Sequence, residues 1–254
     1  MATRKAGQGE RKPQKASKKG FVNEALDDAY HEGLKKALKK EEPNEKHLVI
    51  SAPHFLTASF LIRGTTPYVQ NKFSARQREG IHITQSEGST TRKDKKRVAK
   101  DFKACYEEAI HKSAEGWCGI PASAFRAAAI SACRVAGFAM TYAKLSIFVE
   151  ADGIDATEPT PLVRITKGKP VYTESAVRLP KGMMDIRPRP MWAPGWEAPL
   201  RVRFDADQFR PEDVANLIMR VGMQVGIGEG RPDSKNSAGM GWGLFELIGE
   251  GVEA

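Results

Sequence analysis

The chain has 254 residues, long enough for one large domain or two small ones with a real buried core. Hydrophobic residues are 41% and charged residues 28%, a globular composition, and no apolar run comes near the roughly 18 residues that a membrane-spanning helix needs. Lys and Arg outnumber Asp and Glu by 40 to 31, a net charge of +9 that points first to nucleic acid as the partner.

Residues 1–20 carry seven basic side chains against Glu10 alone and have no apolar period, which predicts a disordered basic arm. Val22, Leu26, Tyr30, Leu34 and Leu38 then recur every fourth position and predict an amphipathic helix inside 21–46. His47–Ser51 and Ala58–Arg63 are β-rich, and the stretch 74–95 is polar and predicts a loop. Val98, Phe102, Tyr106 and Ile110 predict a helix over 96–112, and the alanine-rich run 122–137 a second one able to approach a sheet closely. Leu145–Glu150 alternates as a strand. A long Pro-rich stretch, 152–198, holds short strands at Leu162–Thr166 and Val171–Val177. Leu200–Phe204 is a strand, Pro211 and two acids open a helix to about Met223, and Trp242–Ile248 is a last strand.

Taken from residue 47, the strong elements run β-α-β-β-α-β. That predicts an α+β, ferredoxin-like (RRM-like) domain over 47–254, with inserts at 74–118 and 152–198. Helices cover one face of its antiparallel sheet, and the other is left free.

The second charged segment, 92–103, includes Lys93, Lys95, Lys96 and Arg97. With the arm it accounts for the basicity, and the rest of the chain is close to neutral. Seven of the 23 glycines lie between Gly222 and Gly243. A dinucleotide fingerprint needs strand, glycines, then helix, and here a helix precedes and a strand follows. The reading adopted is a backbone that approaches a phosphate chain closely, with Gly228 and Gly230 beside Arg231 and Lys235; the plainer one is a loop whose glycines serve only its turns. The helix entry at Ser123, Phe125 and Arg126 is either an ordinary start after proline or a phosphate-receiving N-terminus. Arg187, Arg189 and Trp192 either hold and stack on unpaired bases or belong to a loop pinned down by its tryptophans.

Metal chemistry has no support, since the cysteines Cys105, Cys118 and Cys133 form no ligand pair and the five histidines are scattered. The same three cysteines are too few for a disulfide framework, and no apolar core follows the basic N-terminus. A reducing cytoplasm is the expected setting, with no cofactor.

Three stretches together resemble the RAMP superfamily of CRISPR-associated proteins. Phe60–Val69 is similar to its first strand and turn, Ile120–Arg126 to its helix entry, and Gly226–Gly243, with the following Leu244 and Phe245, to its glycine-rich loop and last strand. The resemblance implies a guide-RNA-binding backbone subunit, or a free-standing phage-encoded relative. It also implies a thumb-like hairpin in the 152–198 insert. Phosphate contacts would fall at Ser123, Phe125, Arg126, Gly228, Gly230, Arg231 and Lys235. Some family members cleave RNA with an acid in the loop after the first strand, and Tyr68–Ser74 has none. The expectation is therefore a non-catalytic binder of single-stranded RNA, or of single-stranded DNA, that assembles side by side along the strand. The alternatives are a RAMP-type ribonuclease and a viral assembly protein with a nucleic-acid-binding arm.

Overall fold

A computed structural model describes residues 31–35, 50–86, 99–178, 182, 184–234 and 239–253. The chain divides into two units, 1–51 and 52–254. In the first, residues 31–35 are helical, inside the predicted amphipathic helix; the basic arm and the rest of that helix lie outside the described residues. Ile50 and Ser51, at the end of the first predicted strand, belong to no regular element.

The second unit enters on β1 (Phe55–Gly64), where Ala58, Phe60 and Ile62 are buried on one face and Thr57, Ser59 and Leu61 alternate onto the other. After a turn comes the two-residue β2 (Tyr68–Val69). The predicted loop that follows is instead a helix, α1 (Ala75–Ser86). It buries no residue, so no apolar period marks it. It is held from its ends and sides: Ser74 Oγ accepts the Gln77 N–H at 3.2 Å, and Arg76 and Arg78 pair with Glu108 and Glu158. The next predicted helix shortens to α2 (Phe102–Glu108), started by Asp101, whose carboxylate accepts the Ala104 N–H at 3.0 Å.

β3 (Gly119–Pro121) runs directly into α3 (Ala122–Ala136), which ends at Gly137 in the left-handed region. The start of the next predicted strand is a short helix, α4 (Met140–Ser146), before β4 (Ile147–Glu150). β5 (Gly153–Ile154) and β6 (Pro161–Arg164) are brief. β7 (Pro170–Arg178) and β8 (Met184–Trp192) form a long hairpin in register from Pro170↔Trp192 to Arg178↔Met184. Pro188 and Pro190 lie beyond the paired end of β2, where one flank of β8 has no ladder to lose. β9 (Glu197–Asp205) precedes α5 (Pro211–Arg220), which relaxes into a wide turn, Val221–Val225, closed by the Gly226 N–H on the Val221 carbonyl at 2.8 Å. β10 (Phe245–Glu253) follows.

The architecture is mixed α and β with antiparallel sheets. The main sheet has the order β10-β1-β9-β4, every neighbour antiparallel. Two three-stranded sheets, β2-β8-β7 and β3-β6-β5, stand beside it. The core joins the inner residues of β1 and β9 to Phe125, Ala129 and Ala132 of α3 and Val214, Leu217 and Ile218 of α5. Alanines on α3 permit the close helix–sheet approach that its composition predicts. Among the described residues no helix is long and apolar enough to cross a membrane.

Candidate functional site

The glycine segment is folded tightly onto the domain. Gly228 and Gly230 have φ of 79° and 77°. A Cβ on Gly228 would stand 2.5 Å from the Val69 carbonyl oxygen, and one on Gly230 would stand 2.6 Å from the Trp242 ring. Both positions therefore require glycine for packing within the protein itself. The Glu229 N–H donates to the Val69 carbonyl at 2.9 Å, and the Met240 and Trp242 amides donate to the Gly230 carbonyl at 2.7 and 3.2 Å. The amides of Gly228 and Gly230 have no partner among the described residues.

Both glycines line a groove of about 370 Å³. Its lining includes Tyr68, Asn71, His111, Pro121, Ala124 and Arg231. Pro121 and Ala124 belong to the start of α3, whose N-terminus no side chain caps. The first amides of a helix lack internal partners and carry the positive end of its dipole. Arg231 donates to the Gly228 carbonyl at 3.1 Å and is half-buried. Loop amides, helix start and guanidinium thus meet at one groove.

The other predicted residues divide. Ser123 is exposed on the first turn of α3. Phe125 is buried and meets Phe245 edge to face in the core, so it offers nothing to a ligand. Arg126 donates from Nε to the Ile147 carbonyl at 2.9 Å and from Nη2 to the Lys144 carbonyl at 2.5 Å, and lies 5.0 Å from the Phe148 ring centroid. It ties α3 to the end of α4 and the start of β4. Trp192 is fully buried between Tyr68 and Gly168, so its ring has no free face for a base, and Trp196 is fully buried as well. Lys93, Lys95, Lys96, Arg97 and Lys235 lie outside the described residues.

Arg187 and Arg189 line a second cavity of about 320 Å³, with Lys72, Lys100 and Asp185, between the segment after β2 and the hairpin strand β8. Asn71 borders both spaces, and Arg189 Nε bonds Glu229 Oε2 of the first groove at 2.5 Å. Arg187 is paired with Asp185 at 3.2 Å.

Sequence reasoning missed a buried polar network under the groove. Lys72 Nζ lies 2.6 Å from Asp155 Oδ1, and His111 Nδ1 lies 2.9 Å from Asp155 Oδ2. Thr157 adds its amide and hydroxyl to Oδ1, each at 2.9 Å. Burial opposes charge on Asp155, but these hydrogen bonds outweigh it and hold the carboxyl well below its ordinary value. Burial also lowers His111, against the pull of Asp155, and so favours the neutral imidazole. Gln70 completes the floor: its Nε2 donates to the Gly119 carbonyl at 2.6 Å and its Oε1 accepts the His111 N–H at 3.0 Å.

Among the described residues no group of three His, Cys, Asp or Glu side chains is placed to hold a metal ion. No protein-family model matches the chain, and no curated protein matches its sequence.

Proposed function

We propose that the protein is a non-catalytic binder of single-stranded nucleic acid, RNA in the first place, that grips the phosphate backbone in the groove between the glycine loop and the start of α3. The observation that carries this reading is the convergence there of two unpartnered loop amides, an uncapped helix N-terminus and Arg231. Such groups favour an anion, and backbone amides recognise phosphate without regard to sequence. The groove's volume suits one nucleotide at a time rather than a duplex. The main-sheet order supports a ferredoxin-like core, because its strands in chain order are β1, β4, β9 and β10 and are arranged fourth, first, third, second. The hairpin β7–β8 supports the likeness to the RAMP superfamily. Exposed Val171, Met184 and Ile186 on that hairpin, and Tyr142 and Leu145 on α4, support side-by-side assembly.

A filter-binding titration with single-stranded RNA, single-stranded DNA and duplex, repeated across salt, tests the reading. Arg231→Ala with Lys235→Ala is expected to weaken single-strand binding about tenfold or more. Unchanged binding in that variant, with all affinity lost on removing residues 1–20, refutes the groove. A discrete RNA cut on a gel refutes the non-catalytic assignment in favour of a ribonuclease.

A further inference from the structure

Resting on that reading, we infer that His111 and Asn71 recognise the ribose 2′-hydroxyl of the bound strand, so that the groove selects RNA over DNA. Asp155 sets the tautomer of His111. Its Oδ1 is taken by Lys72 and Thr157, and its Oδ2 meets His111 Nδ1. An ionised carboxylate has no proton to give, so Nδ1 carries the hydrogen of this bond. A neutral imidazole has only one, and Nε2 is therefore an acceptor.

That acceptor is placed for a ligand. His111 lines the groove, and its side chain retains 11% exposure while that of Asp155 has none. Nε2 has no partner among the described residues, and it is not one of the fully enclosed unpartnered polar atoms. The ring cannot turn to offer Nδ1 without breaking the bond to Asp155. A fixed acceptor selects a donor. Asn71, exposed and unpartnered among the described residues, lines the same groove and supplies a carboxamide that both donates and accepts. The amides of Gly228 and Gly230, to which the proposed function assigns the phosphate, line the same groove. On a nucleic-acid strand the ribose 2′-hydroxyl can donate to one such neighbour, His111, and accept from the other, Asn71, and it is the group that distinguishes RNA from DNA. Selection by such a site is strong in one direction, because a strand lacking the hydroxyl leaves Nε2 desolvated and unpaired.

The experiment is a fluorescence-anisotropy titration of the full chain with four short oligouridylates: ribo, 2′-deoxy, 2′-O-methyl and 2′-fluoro. The 2′-fluoro strand keeps the ribose pucker and can accept but cannot donate. The expected result is ribo tighter than the other three by about tenfold, with 2′-fluoro grouped with deoxy. His111→Phe should bring the ratio of ribo to deoxy affinity close to one, and Asn71→Ala, at an exposed position, should reduce it in part. If 2′-fluoro binds as ribo does, the site reads sugar shape and the inference fails. If all four bind equally, this inference fails and the binding function stands. If none binds, both fail. Cleavage of the ribo strand alone would make His111 a base rather than a reader and would also overturn it.

Discussion

At the scale of single residues, the Lys72–Asp155–His111 network links the groove to pH. Folding holds the Asp155 carboxyl below its ordinary 3.8 and His111 below its ordinary 6.5. A group depressed by folding contributes stability that is fully present above its unfolded value and is lost as pH falls towards its folded value. His111 therefore begins to withdraw stability as pH drops below about 6.5, and Asp155 only below about 3.8. The charges felt by the ring are Asp155 and Glu158, which favour its protonation, and Lys72, which opposes it. The melting temperature is expected to fall between about pH 7.5 and 5, and again below about pH 4. His111→Phe should flatten the first fall and keep the second, measured by thermal unfolding across buffers. A wild-type melting temperature that is level from pH 7.5 to 5 contradicts the assignment of a buried neutral imidazole.

At the scale of elements, the glycine loop is a packed wall of the groove. Gly228→Ala combines a left-handed backbone with a Cβ 2.5 Å from the Val69 oxygen, which cannot yield without moving β2. It is expected to cost about 2 kcal/mol or more. Arg231→Ala should cost about 1 kcal/mol or less, since it loses one bond to the Gly228 carbonyl. Chemical denaturation separates the two variants, and binding at a temperature where both are folded tells packing from phosphate contact. What the sequence reveals of these elements follows from what each one buries. β1 and β9 alternate because one face is core, and α3 and α5 carry apolar stripes for the same reason; all four are legible. α1 buries nothing, so no apolar period marks it and its stretch reads as a loop. The strand β8 hides behind Pro188 and Pro190. At the site, the glycines and Arg231 stand out as a local run. Asp155 and His111 do not, because 44 positions separate them and only the fold brings them together. Trp192 misled for a related reason: a tryptophan beside arginines has the same composition whether its ring faces a base or, as here, the core.

At the scale of the whole molecule, affinity and discrimination are carried by different parts of the chain. The arm 1–20 holds seven basic side chains against one acid, while the groove is lined by a single arginine, Arg231, and three cations of the neighbouring cavity are already engaged by acids: Arg189 with Glu229, Lys72 with Asp155 and Arg187 with Asp185. An engaged cation adds little to the field a phosphate feels, so long-range attraction must come chiefly from the segments that lack counter-charges. For single strands each neutralised phosphate contributes about 0.7 to the slope of log K against log salt. If most of the arm's net charge meets phosphate, deleting residues 1–20 should lower that slope by about 4 and weaken binding most at low salt. The ratio of ribo to deoxy affinity should not change, because both strands carry the same phosphates and the hydroxyl is read in the groove. Arg231→Ala should act in the opposite manner, lowering affinity at every salt concentration while changing the slope by about 1 or less. Measuring both variants over the same salt series decides the division: a ratio that collapses on deleting the arm would move the recognition of RNA out of the groove and into the arm.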